Sequence, residues 1–373
     1  AAKRGVEIKL LIDGIYQQLF LNGSKDFQAL AARENVVVGV YNPVTPAGLF
    51  KLNYRMHDKY VIVDDEMYLL GGRNSNDIFL GDYTTDINVD RDILVWDITK
   101  GEGESLQELE AYFRQIWNEN CVQIKGGRKK NSSDISVSEE AADDSEDAES
   151  NSKNSNIVNG IPNVENEIID EKQEKLSKYE KQYQSLEMRY ASLKEKYTDI
   201  EDYSSWQEDT IPANKITLVN NGTHAGPKTP LVLQTIRYLA QNAENVTIQT
   251  PYVICNGYMY DTLNEIASHA QLKIILNAVE KGSNPWGCTD YLNQKKKILN
   301  TGADVYELMN EVPVHTKAVL LDDRLSVVGS YNLDMRSTYL DTELMLVIDS
   351  KELNQQIQST EGTYIEKSKE VLS

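Results

Sequence analysis

Two segments of this chain, one starting at His57 and the other at His315, carry the same spaced set of polar residues. His57, Lys59, Asp64, Gly71, Gly72 and Asn74 punctuate MHDKYVIVDDEMYLLGGRN, and His315, Lys317, Asp322, Gly329, Ser330 and Asn332 punctuate VHTKAVLLDDRLSVVGSYN. Both read H-x-K-x4-D-x6-G-[GS]-x-N. Together they use two of the four histidines in the chain. A duplicated pattern of this length constrains the fold to two similar halves, and the site to something assembled from both.

The likeness extends outward from the motifs. After the second comes LDMRSTYLDTELMLVIDS and the amphipathic KELNQQIQSTEGTYIEKS; after the first comes DINVDRDILVWDITK and the amphipathic ESLQELEAYFRQIWNEN. This register sets Asp92 opposite Glu343. Upstream, LKIILNA and DVYELMN match VEIKLLIDG and VVVGVYN. The second half also has VTIQTPYVI and YMYDTLNEIASHA, for which the first half has no counterpart. With an opening on Ala1, this predicts a native protein that extends N-terminally by at least a strand and a helix, where any signal or membrane anchor would lie.

Strand-like runs alternating with helical periodicity predict an α/β fold, with two halves, each a mixed sheet flanked by helices, packed about a pseudo-twofold axis. The expected segments are a first half over 1–125, an insertion over 126–215 and a second half over 216–373. The insertion holds SSDISVSEEAADDSEDAES, whose Ser, Asp and Glu content predicts disorder. It continues into a charged stretch expected to form a solvated or coiled-coil-like helix.

Residues 131–210 carry 21 Asp and Glu against 8 Lys and Arg, which accounts for most of the net charge of −20. The paired halves remain mildly acidic, which disfavours a nucleic-acid partner held by phosphate neutralisation. No apolar run approaches the ~20 residues that span a bilayer. Cys121, Cys255 and Cys288 have no pairable or metal-ligating spacing, and no metal or other cofactor is expected.

Each motif reads as a hairpin, KYVIV and MYLLG about Asp64-Asp65-Glu66, KAVLL and LSVVG about Asp322-Asp323-Arg324. Residues two apart in an extended strand point the same way, so each motif delivers an imidazole and an ammonium to one face. Gly71, Gly72 and Gly329 permit a close backbone approach, and Asn74 and Asn332 offer amide donors beyond them. Two histidines, two lysines and two asparagines suit a phosphodiester. The lysines and amides neutralise charge on its oxygens, one imidazole attacks phosphorus, and the other protonates the leaving oxygen. Asp92 and Glu343 are the candidates to orient the imidazoles and favour their charged form. His224 and His269 read as a loop residue and a helix-end residue, and the loop at Pro285, Trp286 and Gly287 is one that could border a lipid entrance.

The paired motifs resemble the HKD signatures of the phospholipase D superfamily. RMHDKYVIVDDEMYLLGGRNSND, GSYNLDMRSTYLDTE, TPYVICNGYMYDTL and LNTGADVYEL are similar to its bacterial cardiolipin synthase-like branch. The resemblance implies a double displacement in which His57 takes up a phosphatidyl group and His315 acts as general acid, then base. Lys59, Lys317, Asn74 and Asn332 would hold the phosphate. A hydroxyl contact would come from Ser330 alone, since Gly72 replaces it in the first motif, and Asp64 and Asp322 would be structural. The implied partners are a phospholipid of the phosphatidylglycerol or phosphatidylethanolamine type and a membrane surface, with the protein peripherally associated. Water as the acceptor would make the enzyme a phospholipase D. A nuclease of the same chemistry and a non-catalytic scaffold using the insertion are the other readings.

Overall fold

The computed structural model describes residues 1–125, 177–202 and 204–372; the acidic run expected to be disordered lies outside them. The first half contributes six strands, β1 (Ile8–Asp13), β2 (Val36–Tyr41), β3 (Tyr60–Val63), β4 (Met67–Gly71), β5 (Asp92–Trp96) and β6 (Val122–Lys125). The second contributes β7 (Lys215–Asn220), β8 (Asn245–Gln249), β9 (Gln271–Asn277), β10 (Asp304–Leu308), β11 (Ala318–Leu321), β12 (Leu325–Gly329), β13 (Leu344–Asp349) and β14 (Ser368–Val371).

The second half forms one sheet in the order β14-β10-β9-β8-β11-β12-β13-β7. Its β8, β9 and β10 run parallel, and β11, β12 and β13 form an antiparallel meander. The first half repeats this order as two separate three-stranded sheets, β1-β2-β6 and β3-β4-β5. Among the described residues neither β7 nor β8 has a counterpart there, and β8 is the strand that joins β9 to β11 in the second half. The unmatched segment noticed in the sequence is therefore the one that splices two sheets into one.

Local chemistry accounts for the elements around the motifs. Asp64 and Asp322, at φ of 49° and 51°, occupy the left-handed region at the two hairpin turns, a conformation Asp tolerates better than bulky residues. Asp322 also accepts the backbone amides of Glu244 and Asn245, each at 2.9 Å. At Gly71 and Gly329 an added Cβ would run into the backbone of the next strand, β5 or β13, so both positions require glycine. The helices Glu104–Trp117 and Lys351–Glu366 follow β5 and β13, as the amphipathic patterns predict. Leu106, Leu109, Tyr112 and Ile116 join Leu344, Leu346 and Ile348 in one buried cluster, while Ile357 packs with Ala318, Leu320 and Val328.

The chain divides into two compact units that differ from the sequence halves. One comprises 1–10, 19–39 and, among the described residues, 124–125 and 177–200. In it the helix Glu180–Lys196 lies on the helix Lys25–Ala31, with the Tyr183 hydroxyl donating to Ala29 O at 2.8 Å and Arg33 over the Tyr183 ring at 3.9 Å. The charged stretch, expected as a solvated or coiled-coil-like helix, is a mostly exposed helix whose one buried residue, Tyr183, gives it a packing face. The other unit comprises 11–18, 40–123 and 201–373 and contains both motifs. Among the described residues no helix is long and apolar enough to cross a membrane.

Candidate active site

The two motif segments exchange partners across the halves. Just ahead of β3, Met56 forms a parallel bridge with Thr342, and just ahead of β11, Val314 forms one with Val89. The His57 amide donates to Thr342 Oγ1 at 3.2 Å, and the His315 amide donates to Val89 O at 2.7 Å. Each histidine is thereby laid against the carboxylate following the partner strand's bridge. His57 Nδ1 is 3.0 and 3.2 Å from the two carboxylate oxygens of Glu343, and His315 Nδ1 is 2.7 Å from Asp90 Oδ2.

This corrects the expectation for Asp92. Gly71 pairs with Asp92 and Gly329 with Met345, so Asp92 is equivalent to Met345 and Asp90 to Glu343. Asp92 instead accepts Arg73 Nε at 2.6 Å. A register error of two residues preserves the face on which every side chain lies, so strand alternation alone does not reveal it. Counting back from the strand paired with each motif glycine would have found Asp90.

Ser330 is also corrected. Its buried hydroxyl donates to Glu343 Oε2 and accepts the Leu344 amide at 3.0 Å, so it fastens the carboxylate and is not free for a ligand. At the equivalent Gly72, a Cβ would collide with the Asp90 carboxylate. The serine–glycine difference thus matches the longer glutamate and shorter aspartate set against the two histidines.

The lysines lie beside their own histidines. Lys59 Nζ donates to His57 O, and Lys317 Nζ is 2.6 Å from His315 Nδ1, 3.0 Å from Nε2 and 4.0 Å from Asp90 Oδ2. Nδ1 has one hydrogen bond to make and the carboxylate is the stronger partner, so the ammonium lies against the ring as the third member of the cluster. Burial pushes Lys317 down to about 7 and Lys59 to about 8, opposed by Asp90 and Glu343 respectively. Burial, then the neighbouring lysine, pushes His315 down to about 3 and His57 well below its ordinary value. Glu343 is pushed up by burial to about 7, and Asp90 is held below the usual carboxylate range by Lys317 and His315 against its own burial. The expectation that a carboxylate neighbour makes each imidazole charged is opposed here by burial and the adjacent ammonium, which outweigh the carboxylate. Lys317 also lowers His57, and Lys59 lowers His315, so the four groups share one electrostatic field.

Other side chains around this cluster were missed in the sequence. Asp58, inside the first motif, accepts the Tyr112 hydroxyl at 2.7 Å, and burial pushes its carboxyl up to about 6. Asp341 accepts Arg336 Nη2 at 3.2 Å, and Phe79 lies edge-on to His315 with ring centroids 4.9 Å apart. Asn332 is buried and its amide donates to Tyr252 Oη at 3.5 Å, whereas Asn74 is half-buried. His224 Nε2 donates to the loop carbonyl Pro227 O at 3.0 Å, and His269 ties the carbonyls of Glu265 and Ala240 near a helix end. Pro285, Trp286 and Gly287 open the helix Pro285–Leu299, capped by Asn284, where a loop was expected.

The family model for the cardiolipin synthase phospholipase D-like domain matches residues 1–117 and 235–360. The chain belongs to this family. Cardiolipin synthase A of Escherichia coli O157:H7 (strain EC4115 / EHEC) is 31% identical over 153 residues, 39% of this chain and 30% of the relative. Cardiolipin synthase A of Klebsiella pneumoniae is 30% identical over 142 residues, 37% of this chain and 27% of the relative. These matches span less than a third of the curated relatives' length. The crystal structure of phosphatidylserine synthase from Haemophilus influenzae Rd KW20 is similar in fold, with a TM-score of 0.55 at 14% identity, over 98% of this chain and 75% of that one.

Proposed function

We propose that this phospholipase D-like chain carries the catalytic body of a phosphatidyltransferase of the cardiolipin synthase type. The observation that supports it most is the crossed pairing, in which each histidine has its Nδ1 held by a carboxylate of the other half, with Lys317 against the His315 ring and Lys59 on the His57 carbonyl. Fixing Nδ1 as the donor leaves Nε2 of each ring as the reactive nitrogen.

In the first step His57 Nε2 bonds to phosphorus as the bond from phosphorus to the head-group oxygen breaks, and that oxygen takes a proton from His315 Nε2. In the second, His315 Nε2 removes the proton of an acceptor hydroxyl, whose oxygen bonds to phosphorus as the P–N bond breaks. Lys59 and Lys317 stabilise the charge on the non-bridging oxygens. His315 needs a proton that burial and Lys317 disfavour. A bound phosphodiester anion opposes the two ammonium charges and raises the imidazole, so substrate binding and proton uptake are coupled.

Cardiolipin synthase relatives favour the glycerol hydroxyl of phosphatidylglycerol as acceptor, with a membrane-associated protein working on its own lipid. Incubation with phosphatidylglycerol in EDTA tests this. The expected products are cardiolipin and glycerol, with a ³²P-labelled, acid-labile phosphohistidine trapped on His57. Formation of neither cardiolipin nor phosphatidic acid would sink the proposal; phosphatidic acid alone would make water the acceptor.

A further inference from the structure

The connection from Asn74 to Asp90 is longer than the equivalent one from Asn332 to Glu343, and it differs in character. In the second half this stretch is mostly buried, with Leu333, Ser337 and Thr338 in the interior. In the first half only Phe79 and Asn88 turn inward before Asp90, and Ile78, Leu80, Tyr83 and Ile87 are exposed, Leu80 at 57%. Phe79 is the residue edge-on to His315, so Ile78 and Leu80 flank the side chain that touches the reacting imidazole.

A second element ends at the same place. The Asn88 amide nitrogen donates to Ile78 O at 2.8 Å, and its side chain donates to Ser283 Oγ at 3.3 Å, just ahead of the helix Pro285–Leu299. Gly287 sits so close to the Tyr252 ring that a Cβ would touch it, and Tyr252 accepts the Asn332 amide. Between Ser283 and Gly287 stands Trp286, 84% exposed. Ile78 and Leu80 thus lie one position from Phe79, which contacts His315, and Trp286 one position from Gly287, which packs on the Tyr252 ring beside Asn332.

We propose that Ile78, Leu80, Tyr83, Ile87 and Trp286 form an apolar rim that inserts into the interfacial layer of a phospholipid bilayer. The diacyl substrate then presents its phosphodiester to the histidines without leaving the membrane. This rests on the phosphatidyltransferase reading. Aromatic residues with an apolar body and a polar atom favour that layer, and isoleucine and leucine favour the acyl chains beneath. The same segment carries Asp77, Asp82 and Asp86, so attraction to anionic lipid does not drive the docking. Burial of apolar surface does, and salt should have little effect on it.

The full chain is tested by co-sedimentation with phosphatidylcholine vesicles across a range of salt, alongside a variant carrying Ile78→Ser, Leu80→Ser and Trp286→Ser. The variant is expected to bind at least about tenfold more weakly, the loss of several buried apolar side chains. Wild-type binding should persist at high salt, and both proteins should turn over short-chain, monomeric phosphatidylglycerol equally. Unchanged vesicle binding by the variant, or wild-type binding that collapses with salt, would overturn the rim. If wild type binds vesicles through the rim but turns over no phospholipid, the rim stands and the proposed reaction fails. Near-ultraviolet circular dichroism and the melting temperature confirm that the variant is folded.

Discussion

The two hairpins that carry the motifs are alike in backbone and unlike in what covers them. In the second half Val319, Leu321 and Val327 are 3%, 3% and 1% exposed, whereas their counterparts Val61, Val63 and Leu69 are 55%, 42% and 39% exposed. The buried three share a core with Val232, Leu233, Ile236, Met259, Leu263 and Ile266 of the helices Leu231–Ala240 and Gly257–Ala267. In residues 1–125 the corresponding face of the hairpin is exposed. The histidines, lysines and crossed carboxylates nevertheless keep matching positions. The bridges at Met56 and Val89 tie the two motif segments together through backbone hydrogen bonds, so the matching positions at the site are held by contacts that do not involve this face of the hairpins.

The largest expected effect tests the symmetric side of this comparison. Asp90→Asn and Glu343→Gln remove equivalent partners from His315 and His57, and each should lower kcat by about 10²–10⁴-fold, as loss of a carboxylate that fixes an imidazole tautomer does elsewhere. Asp92→Asn breaks only the pair with Arg73 and should leave the pH–rate profile in place. Steady-state kinetics over pH would separate the three. An Asp92 variant as crippled as the Asp90 variant would restore the register inferred from sequence and refute the one built from strand pairing.

The asymmetric side predicts stabilities. Leu321→Ala should cost about 2–4 kcal/mol, because it leaves a cavity in a packed core. Val63→Ala at the equivalent exposed position should change stability by less than about 0.5 kcal/mol. Urea unfolding of both variants checks this, and equal losses would mean that the first hairpin is covered in solution.

Much of this was legible in the sequence because it follows from local spacing. The hairpins, the turn aspartates, the amphipathic helices after β5 and β13, and the meeting of both motifs come from period-two alternation and a repeat. What the sequence hid depends on contacts between segments far apart in the chain. Asp90 was displaced by two residues because alternation does not distinguish Asp90 from Asp92. Ser330 looked free because its partner, Glu343, reaches it only across paired strands. The lowered histidines were invisible because desolvation is a property of the assembled cluster and not of any segment.

One further pair of equivalent positions gives the smallest expected effect. Leu344 lies in an apolar cluster, but its counterpart Arg91 points its guanidinium at Glu361, with Nη1 and Oε1 3.9 Å apart, and at Gln249 at 3.4 Å. Glu361 lies buried on the helix Lys351–Glu366, and burial pushes its carboxyl up to about 8, with Arg91 only partly opposing. A carboxyl raised in the folded state favours folding while it is protonated in the native protein. Its contribution is therefore full below the ordinary carboxyl range and is lost as pH rises toward about 8. Glu361→Gln keeps the shape and abolishes the ionisation. Its melting temperature should match the wild type near the acid end and exceed it by about 2–5 °C at alkaline pH. Parallel melting curves across that range would show that Arg91 fully compensates the charge, and the two halves would then differ at this position in composition but not in cost.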